Sequence, residues 1–168
     1  MKALSFFALT AILSLLTVSS GCRRIDSNRL PPVNVNIVFT TDGMWAKYGV
    51  GGALDSQRFI KSPTAPVPPD FPYTIATYTG YGGILLVGDL FGYPLAYDLA
   101  CPFEAKPDIR VYVDNDEHDA VCPVCGSTYD VFGGYGRAVS GPAAERGYGM
   151  TRYRVIEGDG LNYRVITR

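Results

Sequence analysis

The sequence predicts an all-β, antiparallel fold, and three observations carry that expectation. Apolar residues alternate with polar ones over short runs; Gly (19), Pro (12) and Tyr (12) are plentiful among the 168 residues; and Gly-, Pro- and Asp-rich clusters punctuate the chain at short intervals. Charged residues are sparse at 18% and no stretch sustains a helical period, so strands joined by turns are expected, in a single domain of ordinary size.

The elements follow in order. Met1-Lys2, a largely apolar run over residues 3–18, and Ser19-Ser20-Gly21 before Cys22 have the charged start, hydrophobic middle and small-residue end of a secretory signal. Small residues before a Cys resemble a lipobox. That implies removal of residues 1–21, a lipid on Cys22, and a lipoprotein of the bacterial cell envelope, anchored to a membrane on its periplasmic or surface side. The run is shorter than the roughly 20 apolar residues that span hydrocarbon. Residues 22–32, polar and ending in Pro31-Pro32, read as the lipidated Cys and a tether, and residues 33–168 as the domain.

Val33, Val35, Ile37 and Phe39 alternate with Asn34 and Asn36, the period-2 pattern of a half-buried strand. Residues 43–70, Gly-rich and then dense in proline, read as loop. Residues 73–78, 84–87 and 94–97 read as strands, with hairpin turns at residues 80–83 and 89–92. Residues 109–113 and 120–121 form a further hairpin about Asp114-Asn115-Asp116, and residues 152–156 pair with 163–166 about Gly158-Asp159-Gly160. Residues 142–146 suit one turn of helix, and the Gly- and Tyr-rich residues 133–148 a partner-facing loop.

Several functions are disfavoured. The 15 Lys and Arg, less Lys2 of the leader, face 16 Asp and Glu with no basic cluster beyond Arg23-Arg24, so nucleic acid is not an expected partner. One histidine and no Gly-x-Ser-x-Gly argue against a Ser-His-Asp hydrolase, and catalysis is not expected. Gly80-Tyr81-Gly82-Gly83 lacks the Lys-Ser/Thr of a phosphate loop, and the acidic residues around Asp114 do not match a calcium loop.

The chemistry concentrates in Cys101-Pro102-Phe103-Glu104 and Cys122-Pro123-Val124-Cys125-Gly126. A two-residue gap in a tight turn brings both side chains to one side, and a glycine after the second ligand permits that turn. The two pairs have the spacing of a four-cysteine zinc site in which Glu104 replaces one thiolate. In an oxidising envelope the three cysteines beyond Cys22 also cannot all pair within one molecule. His118, four residues before Cys122, lies about 13 Å away along an extended strand at roughly 3.3 Å per residue. It reads as a surface residue, the alternative being a bend that makes it the fourth ligand instead of Glu104.

From Gly83 onward the chain resembles a Rieske domain. The likeness rests on residues 83–87, on Leu95-Ala96-Tyr97-Asp98 leading to Cys101, on Cys122-Pro123-Val124-Cys125-Gly126-Ser127-Thr128-Tyr129-Asp130, on Gly133-Gly134, and on Ser140-Gly141-Pro142-Ala143. It covers about half the chain. It implies a Rieske-like antiparallel β-sandwich with a rubredoxin- or zinc-ribbon-like metal-knuckle subdomain over about residues 99–145. In that family each loop supplies one Cys and one His, so that one iron has two Cys and the other two His. Here Cys101 and Cys122 match the cysteines, but the histidine positions hold Phe103 and Cys125, and a two-histidine iron cannot be assembled from a chain whose sole histidine is His118.

Three readings follow: a single ion, foremost zinc, held by Cys101, Glu104, Cys122 and Cys125; a 2Fe-2S cluster with altered ligands, serving electron transfer to a redox or envelope protein partner; or a metal-free binding or structural module with a disulfide. Ser127 and Tyr129 match the family's hydroxyl donors and are expected to hydrogen-bond the sulfurs, the alternative being turn and core roles. Gly141-Pro142-Ala143 resembles the loop that covers the cluster.

Overall fold

The computed structural model describes residues 24–157 and 163–166. The leader, Cys22 and the turn at residues 158–160 lie outside them. No helix among the described residues is long and apolar enough to cross a membrane.

Eleven strands and two short helices are described: β1 (Val35–Val38), α1 (Asp42–Tyr48), β2 (Ser56–Phe59), β3 (Tyr78–Thr79), β4 (Ile84–Gly88), β5 (Pro94–Asp98), β6 (Tyr112–Asp114), β7 (Asp119–Val121), β8 (Thr128–Asp130), β9 (Arg137–Ser140), α2 (Gly141–Arg146), β10 (Arg152–Glu157) and β11 (Tyr163–Ile166). Every strand pairing is antiparallel. The fold is therefore all-β, in a seven-stranded order β2-β4-β5-β10-β11-β1-β3 and a four-stranded order β6-β7-β8-β9.

β4 is apolar throughout because both of its faces are covered. Leu85 and Val87 join Tyr97, Leu99, Val111, Ala120, Tyr129 and Val131 in the layer against the four-stranded sheet, and Cys101 and Cys122 belong to that layer. Ile84 and Leu86 face the other way, towards Ile37, Phe39, Phe59, Phe71 and Tyr153. The three hairpins expected from local turns are present: β4 with β5, β6 with β7, and β10 with β11.

Four expectations are corrected. Residues 43–70 are not plain loop, for they include most of α1 and all of β2. Thr41 caps α1 by accepting the Met44 N–H at 3.1 Å, and Phe39, Trp45, Tyr48, Phe59 and Phe71 make edge-to-face contacts with centroids 5.0–5.9 Å apart. Of residues 73–78 only Tyr78 is in a strand, since Thr74 and Thr77 bond to each other in a turn. Residues 80–83 are not a hairpin turn, because β3 pairs with β1 across the sheet while β4 pairs with β2 and β5.

The fourth correction concerns the tether. Asp26 forms a parallel bridge with Tyr148, its N–H bonding Gly147 O at 2.8 Å and its carbonyl accepting Gly149 N–H at 2.9 Å. The Ser27 carbonyl accepts the Thr151 hydroxyl, the Arg29 guanidinium stacks 4.4 Å above the Tyr148 ring, and Leu30 is buried. Residues 26–30 are thus docked on the domain beside α2.

Candidate metal centre

Cys101 and Cys122 each open a turn with the same backbone plan. After Cys101, the Ala105 N–H bonds the Cys101 carbonyl at 2.9 Å and Ala105 has φ 51°. After Cys122, the Gly126 N–H bonds the Cys122 carbonyl at 3.0 Å and Gly126 has φ 68°. Each turn closes on a residue in the left-handed region, and a proline follows each leading cysteine. Glu104 therefore occupies in the first turn the place that Cys125 occupies in the second.

The two turns converge. The sulfurs of Cys101, Cys122 and Cys125 all lie within 4.8 Å of one another, and Cys101 Sγ is 3.7 Å from Cys125 Sγ. Two thiolates on one tetrahedral zinc, each about 2.3 Å from it, stand about 3.8 Å apart. A disulfide needs an S–S distance of about 2.05 Å, and the three thiols are free. Three cysteines placed in this way can hold a metal ion. Glu104 is half-buried, and its carboxylate is outside the set of donors within 4.8 Å. His118 is exposed at the β6–β7 turn with φ 58° and is likewise outside that set. Phe103 packs against the buried layer, its ring centroid 6.4 Å from that of Tyr148.

Both hydroxyls contact sulfur. Tyr129 is fully buried with its OH 3.3 Å from Cys101 Sγ. Ser127, also fully buried, accepts the Cys125 thiol at 3.2 Å and the Ala143 N–H at 3.0 Å, and once Cys125 is a thiolate its own hydroxyl proton can turn to donate to that sulfur. Gly141 makes this possible: its φ is 74°, and a Cβ there would fall 2.8 Å from Ser127 Cα. Gly141-Pro142-Ala143 opens α2, so residues 133–148, expected to be a loop, include a strand and a helix.

These surroundings divide the thiols. Burial raises Cys125, but the Ser127 hydroxyl and N–H together with the neighbouring thiols outweigh it and hold the group below its ordinary range. Burial pushes Cys122 up to about 12 against the pull of the Cys125 and Val124 N–H groups.

One supporting residue was given no role from the sequence. Asp98 is fully buried; its Oδ1 accepts Gly82 N–H at 2.9 Å and Ala100 N–H at 2.7 Å, and its Oδ2 accepts Tyr81 N–H at 2.7 Å and the Tyr153 hydroxyl. It ties the segment before β4, the strand that delivers Cys101, and β10 together. The available signal was a carboxylate in the otherwise apolar stretch 95–100. No family model, no curated protein and no solved structure matches the chain.

Proposed function

We propose that this chain is a metal-binding module in which Cys101, Cys122 and Cys125, with Glu104 as fourth donor, close on one zinc ion. The observation that carries the reading is the sulfur geometry: three thiols within one coordination sphere, two of them 3.7 Å apart. A two-iron cluster distributes its thiolates over two metals, whereas three mutually close sulfurs suit a single ion. Support for Glu104 comes from the matched turns, which give it the position of Cys125. A thiolate-rich donor set with one carboxylate suits zinc in a closed tetrahedral site, where the ion contributes to folding.

In the same proposal residues 1–21 direct export, Cys22 carries a lipid, and the site serves structure or partner binding without catalysis. The second reading, a 2Fe-2S electron carrier of Rieske-like fold with altered ligands, is favoured by the Tyr129 and Ser127 hydroxyls, which touch sulfur as the resemblance implies. Purification under nitrogen, a visible spectrum and metal analysis decide between them. A colourless protein with one zinc supports the first reading, and a brown protein that bleaches on reduction supports the second. A metal-free protein after growth with both metals overturns both.

A further inference from the structure

Arg58 carries the only buried side-chain nitrogen or oxygen among the described residues that has no hydrogen-bond partner, its Nε. β2 pairs with β4 so that Arg58 stands opposite Leu85, which faces the layer against the four-stranded sheet. The arginine therefore points towards β6 from the sheet edge. A second guanidinium, Arg110, acts on it through its charge, while its own Nε donates to the Gly82 carbonyl. Burial first, and then the Arg110 charge, push the Arg58 guanidinium below its ordinary range. Among the described residues neither arginine is paired with a carboxylate.

A guanidinium without a carboxylate partner and with an orphaned buried donor is a standing cost to the fold. A buried donor left unsatisfied is destabilising by itself. The arginine opens on a cleft of about 450 Å³ whose wall includes Ser56, Gln57, Tyr112 and Asn115 and whose apolar side includes Leu85 and Pro68. A guanidinium fork matches an oxyanion in plane and charge, and hydroxyl and amide donors complete such a pocket. We propose that the Arg58 guanidinium, with the polar groups of this cleft, forms a binding site for the oxyanion group, phosphate or carboxylate, of a small molecule, separate from the cysteine centre.

The test uses the purified full chain, titrated with inorganic phosphate or with acetate at constant ionic strength, with binding followed by calorimetry and by the thermal unfolding midpoint. Saturable binding of at least one anion, with a rise in midpoint, is expected. Phosphate alone indicates a phosphorylated ligand and acetate alone a carboxylic acid. Arg58→Met is expected to unfold at or above the wild-type temperature without anion, since it removes the orphaned donor, and to lose the anion response. Arg58→Lys keeps the charge without the fork and is expected to bind at least about tenfold more weakly. The proposal is overturned by an equal midpoint rise in wild type and Arg58→Met, by the absence of saturable binding of either anion, or by an Arg58→Met protein less stable than wild type.

Discussion

At Cys125 the Ser127 hydroxyl and N–H overcome burial, while at Cys122 burial dominates and the thiol stays protonated up to about 12. Without metal, the raised Cys122 contributes stability that is full below the unfolded thiol's value of 9.0 and is lost as pH rises through about 12. The unfolding midpoint of the metal-free protein is therefore expected to fall over pH 9–12, and that of the metal-bound protein, whose thiols are already deprotonated, to fall much less. Metal uptake must also expel the Cys122 proton, so apparent affinity is expected to climb with pH through neutrality, with proton release measurable by calorimetry in two buffers. Glu104→Ala is expected to lower zinc occupancy, and wild-type occupancy in this variant removes Glu104 from the site. Cys125→Ser is expected to do more damage, lowering both occupancy and thermal stability, because a closed thiolate site supplies folding energy. Tyr129→Phe removes the hydroxyl that touches Cys101 and is expected to weaken zinc binding by about 10–100-fold in a competition titration.

At the scale of elements, the two cysteine turns share a backbone plan but close on different residues. Ala105 holds a left-handed conformation that costs a non-glycine residue about 1–2 kcal/mol, whereas Gly126 holds it freely. Ala105→Gly is accordingly expected to stabilise the fold by up to about 1 kcal/mol, and Gly126→Ala, with open space around its Cβ, to destabilise it by a similar amount in denaturant titrations. Gly141→Ala differs because its Cβ would press on the Ser127 backbone. It is expected to displace α2, break the Ala143 N–H bond to Ser127 and reduce metal affinity along with stability. Local elements were also the most legible ones. The β4–β5 and β6–β7 hairpins could be read because a few consecutive residues specify each turn, and α2 because Pro142 stands at its start and Gly147 ends it in a left-handed conformation. α1 and β2 escaped because seven- and four-residue elements carry little periodicity, and their identity depends on burying Trp45, Tyr48 and Phe59 beneath Phe39 and Phe71.

Over the whole molecule, stability and site are joined through Asp98 and through the docked residues 26–30. Asp98→Ala leaves three N–H groups and the Tyr153 hydroxyl without their buried acceptor and is expected to cost about 3 kcal/mol or more, measured by chemical denaturation. Because the same carboxylate positions the strand leading to Cys101, metal occupancy is expected to fall with it. The parallel bridge of Asp26 to Tyr148 fastens the segment after Cys22 beside α2.

The sequence by itself determined the all-β class, three of the four expected hairpins, the two cysteine turns and the exclusion of a two-histidine iron, because each depends on residues close together in the chain or on composition alone. Only the tertiary structure decided that the two turns meet. It also decided that the sulfurs of Cys101 and Cys125 approach to 3.7 Å, that Ser127 and Tyr129 reach them, and that Arg58 lines a cleft with Tyr112 and Asn115. Those contacts join residues far apart in sequence, and their geometry is set by how the two sheets pack over a shared apolar layer, which no local pattern encodes.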